Sequence, residues 1–345
     1  MESIVNLPAL VRDKFDAARK SGALTFYETQ VSVLRCHGIP VMFQCKLPLS
    51  DANTAQFQVR YSPALANKPK SNKPRDPNEK PFDPFADPPA DLFITRLSTH
   101  FLVLNKFPVT PYHFILATKE FKEQTHMLEE DDIEAARACL KGYREAGEEL
   151  FGFYNSGEHS GASQPHRHLQ FLPVESMRSG MSENKEWGVL ADSLATKPST
   201  YSKLGCKDLF LTFLGLPFTY FWSAISEDLT AQQRYATYLA LHKKAVQSVG
   251  GSFPASGNEN SSPICYNFAL TNRGMAVCPR TSEGVVINSS KGERIGPVAL
   301  NGTLLAGTLL VKSEAEWDTL RNDESKLGEI LSSIGVSSIK NDTRI

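Results

Sequence analysis

Three of the eight histidines in the chain lie within ten residues, and they are His159, His166 and His168. In an extended strand alternate side chains point to the same face, so His166, His168 and Gln170 are expected to share one face. Two neighbouring imidazoles suit metal binding or nucleophilic attack, because a neutral ring carries an unshared electron pair on one nitrogen. This cluster is the strongest chemical feature of the sequence.

A run of small and polar residues at 160–164, SGASQ, leads into these histidines. Small side chains allow successive backbone N–H groups to converge on an anion, and the two hydroxyl groups add further donors. The pattern predicts a phosphate-binding loop beside two imidazoles. Such a pair is suited to attack on phosphorus by a neutral histidine nitrogen, with the loop holding the phosphoryl oxygens.

Two other interpretations stay open on the residues alone. The histidines could be structural, or His166 and His168 could bind a metal ion with His159 or Glu158 as a further ligand. The sequence has no H-E-x-x-H motif and no C-x-x-C pair, and Gln170 is a poor metal ligand. The adjoining small-residue loop favours the nucleophilic interpretation.

The segment Phe153–Pro173, FYNSGEHSGASQPHRHLQFLP, resembles the active-site strand of the histidine triad superfamily, in the branch with H-x-H-x-Q. The segment Asn105–Thr118, NKFPVTPYHFILAT, resembles the preceding strand pair of that superfamily. Within the branch, the sequence is most similar to the fungal ATP adenylyltransferase family, also called diadenosine tetraphosphate phosphorylases. The further stretches that carry this similarity are Ser21–Thr29, Pro63–Pro69, Tyr266–Thr271, Val277–Arg280 and Ala306–Lys312.

The resemblance implies a role for each member of the motif. His168 is expected to be the nucleophile that accepts an adenylyl group, and His166 is expected to support it and the bound phosphates. Gln170 takes the place of a third histidine. A carboxamide can hydrogen-bond to phosphate but does not titrate. The motif therefore favours transfer to a phosphate acceptor over transfer to water.

The resemblance also implies a set of substrate-binding residues. Asn155 is expected to contact the nucleotide or its ribose, and Asn105 is expected to reach a ribose. His113 is expected to bond to backbone at the start of a strand. The residues expected to hold phosphate groups are Ser160, Gly161, Ser163 and Gln164 in the loop, with Lys68, Arg280 and Lys312 as cations for the acceptor.

The expected activity is reversible phosphorolysis of diadenosine tetraphosphate with phosphate, giving ATP and ADP through an adenylyl-histidine. A Mg²⁺ or Mn²⁺ ion is expected to accompany the polyphosphate, with no metal site made by the protein itself. Two alternatives remain. One is a dinucleoside polyphosphate hydrolase that uses water as acceptor, and the other is a nucleotide-binding sensor without turnover.

The sequence pattern predicts that an α+β fold positions these residues, with an antiparallel sheet and packed helices. A helix is predicted from Asp132 to Leu150, and capping boxes begin two more helices after Thr230 and Ser313. The predicted strands are Gln56–Tyr61, Phe101–Leu104, His113–Thr118, His166–Leu172, Tyr266–Leu270, Met275–Cys278 and Leu304–Val311.

The resemblance divides the chain into two parts. Residues 1–190 are expected to form a histidine-triad-like catalytic part, which contains a proline-rich loop at 68–91. Residues 191–345 are expected to form an ATP adenylyltransferase part that completes the site. The two parts are expected to make one compact enzyme rather than two independent modules.

Composition limits the classes of partner. The chain has 37 Lys and Arg against 38 Asp and Glu, so its net charge of -1 argues against a nucleic-acid-binding surface. No stretch has the ~18 apolar residues of a membrane span, and the mixed charges of the N-terminal segment are not those expected of a signal peptide. The six cysteines form no metal motif and are expected to be free thiols in a reducing compartment. We expect a cytosolic protein, able also to reach the nucleus, whose partners are free nucleotides and phosphate; its oligomeric state has no sequence signal.

Overall fold

The computed structural model describes residues 4–37, 54–64, 82–182, 187–193, 216–252, 261–289 and 291–336. The helices are α1 (Leu7–Ser21), α2 (Glu130–Glu145), α3 (Val174–Arg178), α4 (Leu190–Ser193), α5 (Ala231–Ser248), α6 (Glu314–Asn322) and α7 (Ser325–Ser333). The strands are β1 (Gln30–His37), β2 (Thr54–Tyr61), β3 (Phe93–Arg96), β4 (His100–Leu104), β5 (Phe114–Thr118), β6 (Leu150–Ser156), β7 (His168–Pro173), β8 (Phe221–Ala224), β9 (Cys265–Leu270), β10 (Gly274–Arg280), β11 (Gly284–Asn288), β12 (Arg294–Ala299) and β13 (Thr308–Val311). Short 3₁₀ turns lie at Glu158–Ser160 and Gly302–Ala306.

The main sheet has eight strands in the order β3-β4-β5-β7-β6-β9-β10-β8, and each neighbouring pair is antiparallel. A second sheet has the order β1-β2-β13, in which β13 runs parallel to β2. A hairpin of β11 and β12 forms a third. The predicted α+β class is confirmed.

Each face of the main sheet packs on its own hydrophobic core. Leu169 and Phe171 of β7 join the core that contains buried residues of α1, α2 and α5. Leu172 joins the core shared with β1, β2, β13, α6 and α7. Because side chains alternate along a strand, His168 and Gln170 lie on the same face as Leu172. The active-site face of β7 is therefore the face opposite α2.

Strands from both halves of the chain pair with each other. β6 pairs with β9 in the main sheet, and β2 pairs with β13 in the second sheet. The two halves thus share hydrogen-bonded sheets. The predicted boundary between residues 190 and 191 falls inside α4.

The prediction of a helix from Asp132 to Leu150 is wrong at its end. Gly147 has φ of 76° and its N–H donates to Arg144 O, and Glu148 N–H donates to Tyr143 O. These bonds are typical of a glycine-terminated helix. Leu150 is instead the first residue of β6, because the chain reverses in this short turn.

Other predicted elements are confirmed or shifted by a few residues. Reciprocal capping boxes begin α5 at Thr230 and α6 at Ser313. The strand predicted from His166 begins at His168, since His166 makes only an isolated bridge to Glu123. The strand predicted from Leu304 begins at Thr308, after a 3₁₀ turn.

Cys36, Cys139 and Cys278 are buried free thiols and Cys265 is half-buried. Cys45 and Cys206 lie outside the described residues. In the part of the chain that is described, no helix has the length and apolar character needed to cross a membrane.

Candidate active site

The ring of His168 is held in one tautomer by the backbone beside it. Its Nδ1 lies 2.8 Å from the carbonyl oxygen of His166. A carbonyl oxygen can only accept, so Nδ1 carries the proton and donates. In a neutral imidazole, Nε2 then keeps the unshared electron pair.

Burial keeps His168 neutral near pH 7. Removal from water lowers the pKa of His168 to about 4, and charge on His166 lowers it further. The hydrogen bond to the His166 carbonyl and the charge of Asp83 act in the opposite direction and raise the pKa. His168 is 3% exposed, at the strand position opposite Ala117 of β5. A neutral, buried imidazole with a free Nε2 is chemically a nucleophile.

Gln124 fixes the strand start that carries His168. Its Oε1 accepts from the His168 backbone N–H at 2.8 Å, and its Nε2 donates to Asn155 O at 2.8 Å and to His168 O at 3.2 Å. This buried side chain completes the pairing where β6 and β7 diverge. The sequence interpretation missed Gln124, and its only signal was a glutamine in a loop between a strand and a helix.

His166 is held between a carboxylate and a threonine. Its Nδ1 lies 2.7 Å from Asp83 Oδ2, and its Nε2 lies 2.9 Å from Thr118 O and 3.0 Å from Thr118 Oγ1. His166 is almost fully buried at 1% exposure. Both ring nitrogens of His166 are bound by protein oxygens, so the ring is held in place and supports the position of His168.

The end of the predicted proline-rich loop covers both histidines. The ring of Phe85 lies 5.0 Å from the His168 ring and 5.6 Å from the His166 ring, between centroids. Phe121 contacts His166 at 5.3 Å. The sequence interpretation assigned no functional residue to this end of the loop, and it missed Asp83 and Phe85 because loop residues show no periodicity.

Arg167 lies on the opposite side of the strand, as the alternation predicts. Its Nη1 donates to Glu129 Oε1 at 2.8 Å and to Asp132 Oδ2 at 2.9 Å, and the side chain is buried. Asp132 also accepts from His100 Nε2 at 2.9 Å. This buried ion pair fastens β7 to α2, which fixes the position of the two histidines on the other face.

Gln170 lies in the middle of the sheet, opposite Ile115 of β5 and Phe153 of β6. Its neighbour His113 is buried, and burial lowers the pKa of His113 to about 4. The Gln170 side chain raises this pKa and His168 lowers it further. The His113 Nε2 atom has no hydrogen bond of normal geometry among the described residues. The contact with Gln170 is therefore weak, and it leaves the carboxamide able to bond elsewhere.

Asn105 binds within the protein at the start of β5. Its Oδ1 accepts from Phe107 N at 2.9 Å, so its Nδ2 is the atom that faces His113 Nδ1 at 3.0 Å. The bond from Asn105 gives His113 the tautomer with a proton on Nε2. The sequence predicted that His113 bonds to backbone, and its ring bonds instead to the side chain of Asn105.

Asn155 is held by residues of the C-terminal half. Its Oδ1 accepts from Asn267 Nδ2 at 2.9 Å and from Gly302 N at 2.8 Å. Asn267 Nδ2 also donates to Ser160 O at 2.9 Å. Because its oxygen is used twice, Asn155 has its amide N–H₂ group left for a ligand. The second half therefore completes this part of the site.

Arg280 lies behind Asn267 and is buried. Its guanidinium donates to Asn267 Oδ1 and to the backbone oxygens of Ser282, Glu283 and Leu300. Burial lowers the pKa of Arg280, and the nearby Cys278, Glu283 and Cys265 side chains raise it by a smaller amount. These contacts give Arg280 a structural setting, unlike the open cation expected for an acceptor site.

In the small-residue loop at 160–164, some residues maintain the loop structure and others are accessible to a ligand. Ser160 is buried and its hydroxyl donates to Gly157 O at 2.6 Å, which closes a 3₁₀ turn. Gly161 has φ of 79°, and a Cβ there would lie 2.7 Å from Asn301 Cβ. Ser163 is exposed and Gln164 is half-buried. Backbone and these two side chains are thus the accessible donors of the loop.

The remaining cations are less defined. Lys312 is exposed and follows the last residue of β13. Lys68 lies outside the described residues. His159 is half-buried on the 3₁₀ turn, with its Nε2 3.4 Å from Glu158 Oε1. Among the described residues no group of three or more His, Cys, Asp or Glu side chains is arranged to hold a metal ion.

Two family models match the chain in order. The Ap4A phosphorylase N-terminal domain matches residues 3–184, and the ATP adenylyltransferase C-terminal domain matches residues 214–337. Ap4A is diadenosine tetraphosphate. Diadenosine 5',5'''-P1,P4-tetraphosphate phosphorylase 2 of Saccharomyces cerevisiae is 29% identical over an alignment of 335 positions, which covers 92% of this chain and 91% of that protein.

The fold is similar to solved structures as well. The crystal structure of yeast Ap4A phosphorylase Apa2 matches with a TM-score of 0.71 at 26% identity, covering 99% of this chain and 98% of that one. The structure of Apa2 in complex with AMP matches with a TM-score of 0.71 at 25% identity, covering 99% and 100%. The resemblance read from the motifs is confirmed. Since the first family model alone spans residues 3–184 of 345, the chain belongs to the Ap4A phosphorylase family.

Proposed function

We propose that the protein catalyses reversible phosphorolysis of diadenosine tetraphosphate, with inorganic phosphate, to ATP and ADP. The observation that carries this proposal is the state of His168. Its Nδ1–H donates to the His166 carbonyl and leaves a neutral Nε2 with an unshared pair. Membership in the Ap4A phosphorylase family supplies the substrate class.

In the first step Nε2 of His168 attacks the α-phosphorus of one adenylyl group. A nitrogen–phosphorus bond forms, the bond from that phosphorus to the bridging oxygen breaks, and ATP leaves with the electron pair of that oxygen. The His168 ring becomes cationic as its pair is shared. The His166 carbonyl stabilises that charge, because it already accepts the Nδ1–H.

In the second step an oxygen of inorganic phosphate attacks the same phosphorus. The nitrogen–phosphorus bond breaks, ADP forms, and the neutral His168 returns with its Nδ1 proton unchanged. No water is consumed. Division of one displacement into two through a covalent intermediate predicts ping-pong kinetics.

Gln170 suits an acceptor that is already ionised. Its carboxamide can donate to a phosphoryl oxygen, but it cannot take a proton from water as an imidazole could. Ser163 and Gln164 are the accessible side-chain donors for the substrate phosphates, and the buried Asn155 amide is proposed to donate to the nucleoside. Arg280 is proposed to act indirectly, by holding Asn267, which in turn holds Asn155. Lys68 and Lys312 remain the proposed cations for the acceptor phosphate.

A divalent cation is proposed to enter with the substrate. Tetraphosphate chains carry several negative charges, and Mg²⁺ or Mn²⁺ is bound well by phosphate oxygens with few protein ligands. Asp83 is the carboxylate closest to the two histidines among the described contacts, and His166 already occupies it. The residues present therefore fit a cation held by the substrate rather than by the protein.

The first test measures products of diadenosine tetraphosphate turnover while phosphate is varied, with the nucleotides separated by chromatography. We expect ATP and ADP in equal amounts, at a rate that rises with phosphate and falls to background without it. Release of AMP and ATP without phosphate would instead identify a hydrolase.

The second test separates an enzyme from a nucleotide-binding sensor. Substrate labelled in the adenosine is mixed with enzyme in the absence of phosphate, and the protein is examined for an acid-labile adenylyl group. We expect the label on wild type and its loss in His168→Ala. The matched control is His159→Ala, because the side chain of His159 is partly exposed, at 42%, in the segment that leads to His168. Tight nucleotide binding with no label and no products would favour a sensor.

A further inference from the structure

Asp83 contacts His166 and has no role in the proposed mechanism. Its Oδ2 lies 2.7 Å from His166 Nδ1, and its Oδ1 accepts from Phe85 N at 2.9 Å. The Asp83 side chain is 19% exposed and the His166 side chain 1%. The second contact is an Asx turn, which orients the carboxylate towards the histidine.

The hydrogen bonds around His166 determine where its protons lie. The Thr118 hydroxyl donates to Glu120 O at 2.7 Å, so its oxygen can only accept from His166 Nε2. The Thr118 carbonyl oxygen accepts from the same nitrogen. His166 Nε2 therefore carries a proton.

The opposite nitrogen of His166 faces a carboxylate. Asp83 Oδ1 accepts from Phe85 N–H, and Oδ2 lies 2.7 Å from His166 Nδ1, where an ionised carboxylate can only accept. Only an imidazolium donates from both nitrogens. A buried cation is costly unless it is paired and hydrogen-bonded, and Asp83 and Thr118 meet both conditions.

We propose that Asp83 is a positioning residue for the nucleophile: its carboxylate keeps His166 doubly protonated and fixed, so that His168 Nε2 is the nucleophilic nitrogen of the two imidazoles. The proposal rests on the proposed function, because it concerns which histidine accepts the adenylyl group.

Two consequences follow from this arrangement. A doubly protonated His166 has no unshared pair and cannot compete for phosphorus. A fixed His166 also holds its carbonyl oxygen against His168 Nδ1, and this contact selects the reactive tautomer. The carboxylate balances the added charge, so the pair places no net charge beside the nucleophile.

The test uses Asp83→Asn, which preserves size and can still hydrogen-bond but cannot balance an imidazolium. We expect a loss in kcat for phosphorolysis of about 10²-fold, with KM changed by less than about threefold. Asp87→Asn is the matched control, since Asp87 is an exposed aspartate of the same loop. We expect Asp87→Asn to match wild type.

Nitrogen NMR of ¹⁵N-histidine enzyme gives a readout that needs no turnover. We expect both ring nitrogens of His166 to be protonated near neutral pH in wild type and one of them in Asp83→Asn, with His166→Gln used for assignment. Asp83→Glu restores the carboxylate and is expected to recover part of the lost kcat, whereas a purely structural defect would not recover.

Two results would overturn the proposal. One is a wild-type His166 that carries a single ring proton, which can be read even if the variant does not fold. The other is a folded Asp83→Asn enzyme with wild-type kcat. Phosphate dependence of the wild type is measured in parallel, so failure of the proposed function would be seen separately, as absent phosphorolysis with an intact imidazolium signal.

Discussion

Asn267 Nδ2 lies 2.9 Å from Asn155 Oδ1, and this hydrogen bond joins the two halves of the chain inside the site. The two residues are direct partners in the pairing of β9 with β6. The bond fixes the Asn155 amide so that its nitrogen, and not its oxygen, is available to a ligand. A residue of the C-terminal half thus sets the donor pattern of the N-terminal half.

Replacement of Asn267 by alanine is expected to weaken both folding and binding. Asn267 is fully buried, and its loss leaves Arg280 Nη1 and Asn155 Oδ1 without this partner. We expect the free energy of unfolding to fall by about 2–4 kcal/mol and KM for diadenosine tetraphosphate to rise. Urea denaturation and initial-rate kinetics measure these effects.

The control for Asn267→Ala is Asn288→Ala, because Asn288 is an exposed strand residue. We expect this control to stay within about 0.5 kcal/mol of wild type. An unchanged unfolding free energy in Asn267→Ala would show that the bond across the halves does not stabilise the enzyme.

Gly161→Ala is expected to distort the phosphate-binding loop. The residue has φ of 79°, and an added Cβ would lie 2.7 Å from Asn301 Cβ and 3.0 Å from Leu300 O. Backbone strain and the clash together are expected to cost about 1–3 kcal/mol of stability. Since the loop must move, we also expect weaker substrate binding, which isothermal titration with a nonreactive nucleotide measures.

Gly147→Ala separates the two causes of the Gly161 effect. Gly147 has φ of 76°, close to that of Gly161, but a Cβ there meets no atom within 4 Å. We expect this control to lose stability by about 1 kcal/mol and to keep its nucleotide affinity. Equal losses of affinity in both variants would contradict a specific role for the loop.

Gln170→His is expected to shift the reaction towards water. An imidazole at this position can accept a proton from water during attack on the adenylyl-histidine, which the carboxamide cannot. We expect AMP to form without phosphate at a rate at least about tenfold above that of wild type. Chromatography of products at zero phosphate measures this change.

Gln170→Asn serves as the control for the histidine variant, because it keeps a carboxamide and changes only the reach. We expect it to lose phosphorolysis without gaining AMP release. AMP release equal to that of Gln170→His would mean that a rearranged pocket, and not proton transfer, admits water.

The adenylylation rate is expected to stay constant where an ordinary histidine would titrate. Burial lowers the pKa of His168 to about 4 from 6.5, with smaller opposing effects of the His166 carbonyl bond and Asp83. His168 therefore remains neutral as the pH falls from about 8 to about 5. Single-turnover rates over this range should be level, and a decline centred near 6.5 would show that His168 titrates normally.

The same shifts predict the direction of acid unfolding. The pKa values of His113, His168 and His242 are each lowered to about 4 by burial, so the unfolded state binds more protons between 6.5 and 4. Stability contributed by these rings is present above 6.5 and is lost as the pH falls towards 4. For each proton taken up, the free energy of unfolding should fall by about 1.4 kcal/mol per pH unit, measured by urea titrations.

Elements with local signals were predicted well. The capping boxes at Thr230 and Ser313 each depend on residues three positions apart, and the structure has both. The end of α2 was misplaced by several residues. Leu150 fits the helical spacing, and the competing turn at Gly147 leaves no trace in that periodicity.

The site was predicted only in part, for a related reason. The alternation along His166–Gln170 is a property of one strand, and so the nucleophile and its support could be named. Gln124 and Asp83 reach the histidines from loops 44 and 83 positions away in sequence. Contacts of that separation have no periodic signature in one sequence.

The sequence alone determined the near balance of charges, the order of the motifs and the types of the reactive side chains. These properties identified the family and pointed to His168 as the nucleophile. The tertiary structure decided three other matters: the tautomer of His168, the use of Arg280 as a buried support, and the tie between Asn155 and Asn267. Each depends on which donors and acceptors lie within about 3 Å. Such distances are set by the packing of strands that are remote in the chain.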